Sequence, residues 1–152
     1  MILPARSATQ IVMIRSLFRE YERFLNVDLC FQGFEEELAG LPGQYAPPEG
    51  ELLLALDQGQ ALGCVALRPL EKGICEMKRL YVRPQGRGTG VGKQLAKEII
   101  TIARQRGYTR MRLDTLETLT EAVGLYRQLG FYQVPPYYDN PLPGALYWEL
   151  VL

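Results

Sequence analysis

An α/β sandwich built on a mixed sheet is the fold that the order of elements in this chain predicts. Two helical stretches open the sequence, and three apolar runs joined by short polar turns follow as an antiparallel meander. The second half then alternates strand, helix, strand, helix, strand, the pattern that places helices against a sheet. No internal repeat or low-complexity tract interrupts this order.

Residues 1–4 suit a short edge strand, with Pro4 closing it. From Ser7 or Thr9 onward, Ile11, Ile14, Phe18, Tyr21 and Leu25 recur at helical spacing. A second, short helix is predicted over Phe31–Ala39, stopped by Gly40 and Pro42. Residues 41–50 are rich in Pro and Gly and read as an irregular connection, too short for a domain linker. Strands are predicted at Leu52–Leu56, Ala61–Leu67 and Cys75–Val82, with Asp57–Gln60 and Leu70–Gly73 as hairpin turns. A long helix runs from about Gly90 to Arg106, burying Val91, Leu95, Ile99, Ile102 and Ala103 and ending at Gly107. Met111 and Leu113 alternate with Arg110, Arg112 and Asp114, as in a half-buried strand. Thr118 and Glu121 have capping-box spacing ahead of a helix whose Ala122, Leu125, Tyr126 and Leu129 share one face, ended by Gly130. After irregular residues 135–144, Ala145–Leu152 is a final strand.

Composition narrows the function classes. A chain of 152 residues fits one domain, here 1–152, with a core that needs no metal or disulfide. Seventeen basic and seventeen acidic residues cancel, so no global field draws the protein to nucleic acid or an anionic membrane. Any anion site is therefore local. The absence of His removes His-based triads and argues against a catalytic metal. Three cysteines without CxxC spacing (Cys30, Cys64, Cys75) read as small thiols in a reducing compartment. The N-terminus has no apolar signal core, and no apolar run reaches 18 residues, so the expected location is the cytoplasm. A homodimer is compatible with all of this.

The most informative segment is residues 79–99. A strand ends at Val82, Pro84 delays the helix, and Gly86, Gly88, Gly90 and Gly92 precede or open it. Four alternate glycines are costly, roughly 0.5–1 kcal/mol each relative to Ala in regular structure. They make sense where a ligand approaches the backbone. The turn also offers N–H groups at a helix N-terminus, whose dipole favours an anion, with Arg83, Arg87 and Lys93 beside it. A pyrophosphate fits. The P-loop pattern fails because position 87 is Arg and Gln94 stands where Ser or Thr is required. The dinucleotide pattern fails because every glycine is separated by one residue.

What does match is R-x-x-G-x-G, as Arg87-Gly88-Thr89-Gly90-Val91-Gly92. This run resembles the acetyl-CoA pyrophosphate motif of the GNAT acetyltransferase superfamily. The segment from Ala122 through Tyr126 to Gly130-Phe131 is similar to that family's A-x-x-x-Y-x-x-x-G-F signature. One departure is Leu119, where many relatives carry Asn. The resemblance implies a mixed, mostly antiparallel central sheet with helices on both faces and a splayed central strand pair. It implies acetyl-CoA as acyl-donor cosubstrate. Backbone groups of Leu80 and Val82, with Tyr81 between them, would hold the pantetheine arm. Residues 87 to 92 (Arg87, Gly88, Thr89, Gly90, Val91, Gly92), with Lys93 nearby, would hold the pyrophosphate, and the Val82 amide would polarise the acetyl carbonyl. Tyr126 corresponds to the family tyrosine that protonates the departing thiolate.

Transfer to an amine needs a base, and without His the candidates are carboxylates and tyrosines. Glu76 lies in an otherwise apolar strand neighbourhood, six residues before Val82. Such an acid is either the base, direct or through water, or one member of an ion pair with Lys78, Arg79 or Arg112. The acceptor pocket is expected from the first helices and the 41–50 and 133–143 loops, which carry Phe31, Phe34, Tyr45, Tyr137 and Tyr138 among acids. Aromatic and acidic groups together suit an organic cation. An acyl-CoA-binding module without chemistry, and a donor other than acetyl-CoA, are the alternatives. A pure binder would need neither Glu76 nor Tyr126.

Overall fold

Seven strands form one open sheet in the computed structural model, which describes residues 1–152. They are β1 (Ile2–Pro4), β2 (Glu51–Asp57), β3 (Gln60–Glu71), β4 (Ile74–Val82), β5 (Arg110–Leu116), β6 (Tyr132–Val134) and β7 (Ala145–Val151). Their order is β1-β2-β3-β4-β5-β7-β6, antiparallel throughout except for the parallel pair β4–β5. Four helices cover the sheet: α1 (Ala8–Leu25), α2 (Phe34–Ala39), α3 (Val91–Gln105) and α4 (Thr120–Gln128).

Successive side chains of β2 and β3 serve two cores. Leu53, Ala55, Val65 and Leu67 pack with Leu95, Ile99 and Ala103 of α3 and Tyr126 of α4. Leu52, Leu54, Cys64 and Ala66 pack with Ile14, Leu17 and Phe18 of α1 and Phe34 and Leu38 of α2. That is why ELLLALD reads as a continuous apolar run rather than an alternating one. Each fully buried Leu or Phe contributes about 1.5–3 kcal/mol by transfer. Ser7 caps α1 through a reciprocal box with Gln10.

Some expectations need correction. The helix expected over Phe31–Ala39 is broken by Gly33 at φ 69°, giving a 3-10 turn at Cys30–Gln32 and then α2. Thr118 and Glu121 form no capping box, because α4 starts two residues after Thr118 with Leu119 at its N-cap. Strand β6, which doubles the outer edge of β7, was not legible as a strand. No helix is long and apolar enough to cross a membrane.

Two features of β4 prepare the site. It pairs with β5 only over Ile74–Glu76 against Arg110–Arg112, and beyond that point the strands part. It also carries a bulge, since the register with β3 shifts between Cys64 and Ala66 and Arg79 sits at φ 61°. The extra residue changes which face each side chain takes. Cys75, Met77, Leu80 and Val82 pack towards α3 and α4, whereas Tyr81 joins the core under α1.

Candidate functional site

The parting strands leave the β5-facing edge of β4 unpaired from Met77 to Val82. This edge borders a cleft of about 520 Å³ that runs from Tyr126 to the glycine-rich turn, with apolar walls from Leu80, Val82, Val91, Ala122 and Leu125. At the turn, backbone N–H groups of residues 88 to 93 have no backbone acceptor, as expected at a helix start. The Arg87 N–H differs from expectation, because Pro84 O accepts it at 3.2 Å. Arg87 instead caps the strand end: its Nε donates to Val82 O at 3.1 Å and its guanidinium lies 4.7 Å from the Phe24 ring centroid.

The four glycines divide by task. Gly88 and Gly90 adopt φ 78° and 85° with open space where a Cβ would stand. They are required by conformation. A Cβ on Gly86 would come within 3.0 Å of Val82, and one on Gly92 within 3.4 Å of it, so Gly86 lets the turn, and Gly92 lets α3, lie close to β4. Thr89 donates its hydroxyl to Gly86 O and pins the turn. Lys93 is exposed on the first turn of α3 and does not line the cleft. Tyr81 touches the cleft but packs its ring on Tyr21 and Phe24.

A second, smaller cavity of about 40 Å³ adjoins the cleft. Tyr21, Leu80, Thr115, Leu119 and Tyr126 line both spaces. Leu119, the departure noted in the motif, thus puts an apolar side chain at the junction. Tyr126 packs edge-on against Phe131, and burial, followed by the neighbouring Tyr21 and Asp114, pushes its phenol well above the usual tyrosine range. It stays protonated at neutral pH. The far side of this cavity carries Lys78, Asp114, Gln32 and Asn140. Gln32 accepts from Lys78 Nζ at 3.2 Å and donates to Tyr138 Oη at 3.0 Å. Tyr138 in turn donates to Asp114 Oδ2, which also accepts from Asn140 Nδ2 at 2.9 Å. Neither Lys78 nor Asp114 was singled out from the sequence as a pocket residue. The signal available was a polar residue at each point where two strands leave their shared ladder.

Glu76 is fully buried on β4. Its Oε1 accepts from Arg68 Nε at 2.6 Å, with Arg68 Nη2 also at 2.6 Å, and Tyr137 donates to Oε2 at 2.5 Å. Lys78 Nζ stands 3.9 Å from Oε1. Glu76 lines neither space. Of the partners expected, Arg79 forms a bidentate pair with Glu37 at 3.0 Å, and Arg112 pairs with Glu149 and Glu71. Arg68 was missed because it faces Glu76 across the β3–β4 hairpin, and that pairing follows only once the register is known.

The aromatic residues separate likewise. Tyr137 and Tyr138 line neither space: the Tyr137 hydroxyl bonds to the buried Glu76, and only Tyr138 reaches a cavity residue, through Asp114. Phe34 is core, 1% exposed, with the Arg79 guanidinium 5.1 Å from its ring centroid, and Phe31 is half-buried against the α1 core. Tyr45 is likewise core.

Residues 12–131 match the model of the acetyltransferase (GNAT) family. An uncharacterized N-acetyltransferase of Schizosaccharomyces pombe is 49% identical over 138 residues, covering 90% of this chain and 85% of its own. The crystal structure of a putative acyl-CoA N-acyltransferase of Klebsiella pneumoniae superposes with a TM-score of 0.76 at 28% identity, covering 100% of this chain and 97% of that one. A putative streptothricin acetyltransferase of Bacillus anthracis, solved with acetyl coenzyme A, shares the fold with a TM-score of 0.64 at 22% identity, over 74% and 69% of the two chains.

Proposed function

The chain belongs to the acetyltransferase (GNAT) family, and from that premise we propose that it transfers an acetyl group from acetyl-CoA to a primary amine of a small molecule or peptide by direct attack in a ternary complex. The observation that carries this reading is Tyr126, whose side chain borders both the long cleft and the small cavity. A thioester delivered along the cleft and an amine held in the cavity would meet beside its phenol.

The unpaired N–H groups of residues 88 to 93 suit the pyrophosphate, and the β4 edge at Leu80 and Val82 suits the amide-bearing pantetheine arm. Asp114, half-buried on the cavity wall with both its hydrogen bonds on Oδ2, is placed to take the proton of the acceptor ammonium. The amine nitrogen then attacks the carbonyl carbon, the C–S bond breaks as Tyr126 donates a proton to the sulfur, the second nitrogen proton restores the Tyr126 phenol, and Asp114 releases the first to solvent. For Glu76 the geometry favours the ion pair with Arg68 over the base, since both its oxygens already accept strong bonds away from the cavity. Direct attack is favoured over an acetyl-enzyme because no cysteine lines the cleft or the cavity: Cys30 is exposed outside both, Cys64 and Cys75 are buried, and burial pushes the Cys75 thiol up to about 12. The test is to supply acetyl-CoA with a panel of primary amines and follow CoA thiol release together with acetylated product. Release matched by product supports transfer. Binding of acetyl-CoA without turnover of any amine would refute it.

A further inference from the structure

Lys78 has 7% of its side chain exposed and no carboxylate within hydrogen-bond distance, and burial, with Arg79 beside it, lowers its pKa from the usual lysine value. Its one hydrogen bond goes to Gln32 Oε1. An ammonium has three donors, and burying a charge without a close counter-charge is costly. Glu76, 3.9 Å away, makes only a long ion pair with it and no hydrogen bond, since Arg68 holds its Oε1 through two nitrogens and Tyr137 holds Oε2. The neighbouring Arg79 adds positive charge, and its own partner Glu37 is fully engaged with it. Lys78 lines the small cavity, and so does Asp114, carried by the next strand. The cavity is thus lined by two cations and one carboxylate: Arg79 is paired with Glu37, Lys78 has no carboxylate within hydrogen-bond distance, and Asp114 accepts only from the neutral Tyr138 and Asn140.

We propose that the acceptor is an amino acid, whose carboxylate pairs with Lys78 while its amine lies beside Asp114. The assignment rests on the transfer reading above and narrows it. A polyamine would bring a second cation towards Lys78 and Arg79. A simple alkylamine or a peptide N-terminus would leave Lys78 without its counter-charge. A cavity of about 40 Å³ beside an open cleft also suits a compact charged head better than an aminoglycoside.

The test compares kcat/KM of the wild-type enzyme for α- and β-amino acids with values for their carboxamides and for the matching amines that lack the carboxyl group. Sites built around a buried polar partner discriminate strongly against analogues that lack it, so the free acid should exceed its amide by roughly 10²-fold or more. In Lys78→Met the ratio of acid to amide should collapse towards one. If that variant does not fold, the wild-type ratio decides alone. Amides or simple amines turned over as well as the acids, or a ratio unchanged in folded Lys78→Met, would overturn the amino-acid assignment and leave acetyl transfer standing. Acetyl-CoA binding with no amine acetylated at all would overturn the transfer reading and this assignment with it.

Discussion

The donor and acceptor sides proposed for the site are made of different material. The donor side is largely backbone: the unpaired edge of β4, a turn held by Gly88 and Gly90 at positive φ, and the N–H groups that open α3. The acceptor side is side chain, with Lys78 and Asp114 joined through Gln32, Tyr138 and Asn140 from distant parts of the chain. A backbone site tolerates many side chains but demands particular dihedral angles. A side-chain site tolerates varied local backbone but depends on particular charges. Donor-side changes should therefore act on acetyl-CoA affinity, and acceptor-side changes on the transfer step.

The largest expected effect is on the acceptor side. Asp114→Asn keeps a group that Tyr138 and Asn140 can bond but cannot take a proton. Acetyl transfer should fall by roughly 10²–10⁴ in single-turnover rate, while calorimetry finds acetyl-CoA affinity unchanged. A matching loss of affinity would mean that the two sides are not separate. Next comes Tyr126→Phe, which keeps the ring packed on Phe131. Thiolate is a fair leaving group unprotonated, so the loss should lie near the lower end, about 10². Because burial raises the Tyr126 pKa above its ordinary value, the phenol stays protonated through pH 10. The rate profiles of variant and wild type between pH 7 and 10 should therefore run parallel, and an alkaline fall present only in the wild type would contradict that.

On the donor side, Gly90→Val forces a β-branched residue to φ 85°, a conformation that costs about 1–2 kcal/mol for an L-residue. There is room for the Cβ itself, so the fold should survive while the turn relaxes away from its anion-binding shape. Acetyl-CoA affinity should weaken about tenfold, which is 1.4 kcal/mol at room temperature, with little change in rate at saturating donor. Unchanged affinity in a folded variant would remove the turn from the donor site. The smallest effect on rate is expected from Glu76→Gln. Weakening a buried pair costs up to about 3–5 kcal/mol, so thermal or denaturant unfolding should shift strongly while the folded fraction keeps most of its turnover. A stable Glu76→Gln enzyme with its rate lost by 10² or more would restore Glu76 as the base.

The same contrast explains what was readable in the sequence. Glycine spacing from 86 to 92 is a local record of backbone conformation, so the turn and the start of α3 were legible in one stretch of residues. The helical period of α1 and the strand–helix alternation of the second half made the layers legible too. The bulge at Arg79 was not, because it is imposed by the register of β3 against β4 rather than by a special residue. The Arg68–Glu76 pair was hidden for the same reason. Tyr138 and Asp114 meet only because residues 136–142 fold back over the parting strands, a contact with no local signature. Phe34 illustrates the converse: an aromatic residue beside acids suggested a cation pocket, but it sits 1% exposed in the core.

If donor and acceptor sides serve one ternary complex, the acetyl group passes from sulfur to nitrogen with no stop on the protein. Initial velocities measured over a grid of acetyl-CoA and acceptor concentrations test this most directly. Intersecting double-reciprocal lines, with no acetylated enzyme detected by mass spectrometry after incubation with acetyl-CoA alone, are the expected result. Parallel lines accompanied by a stable acetyl-enzyme would contradict the account, because the two sides would then act in turn rather than together.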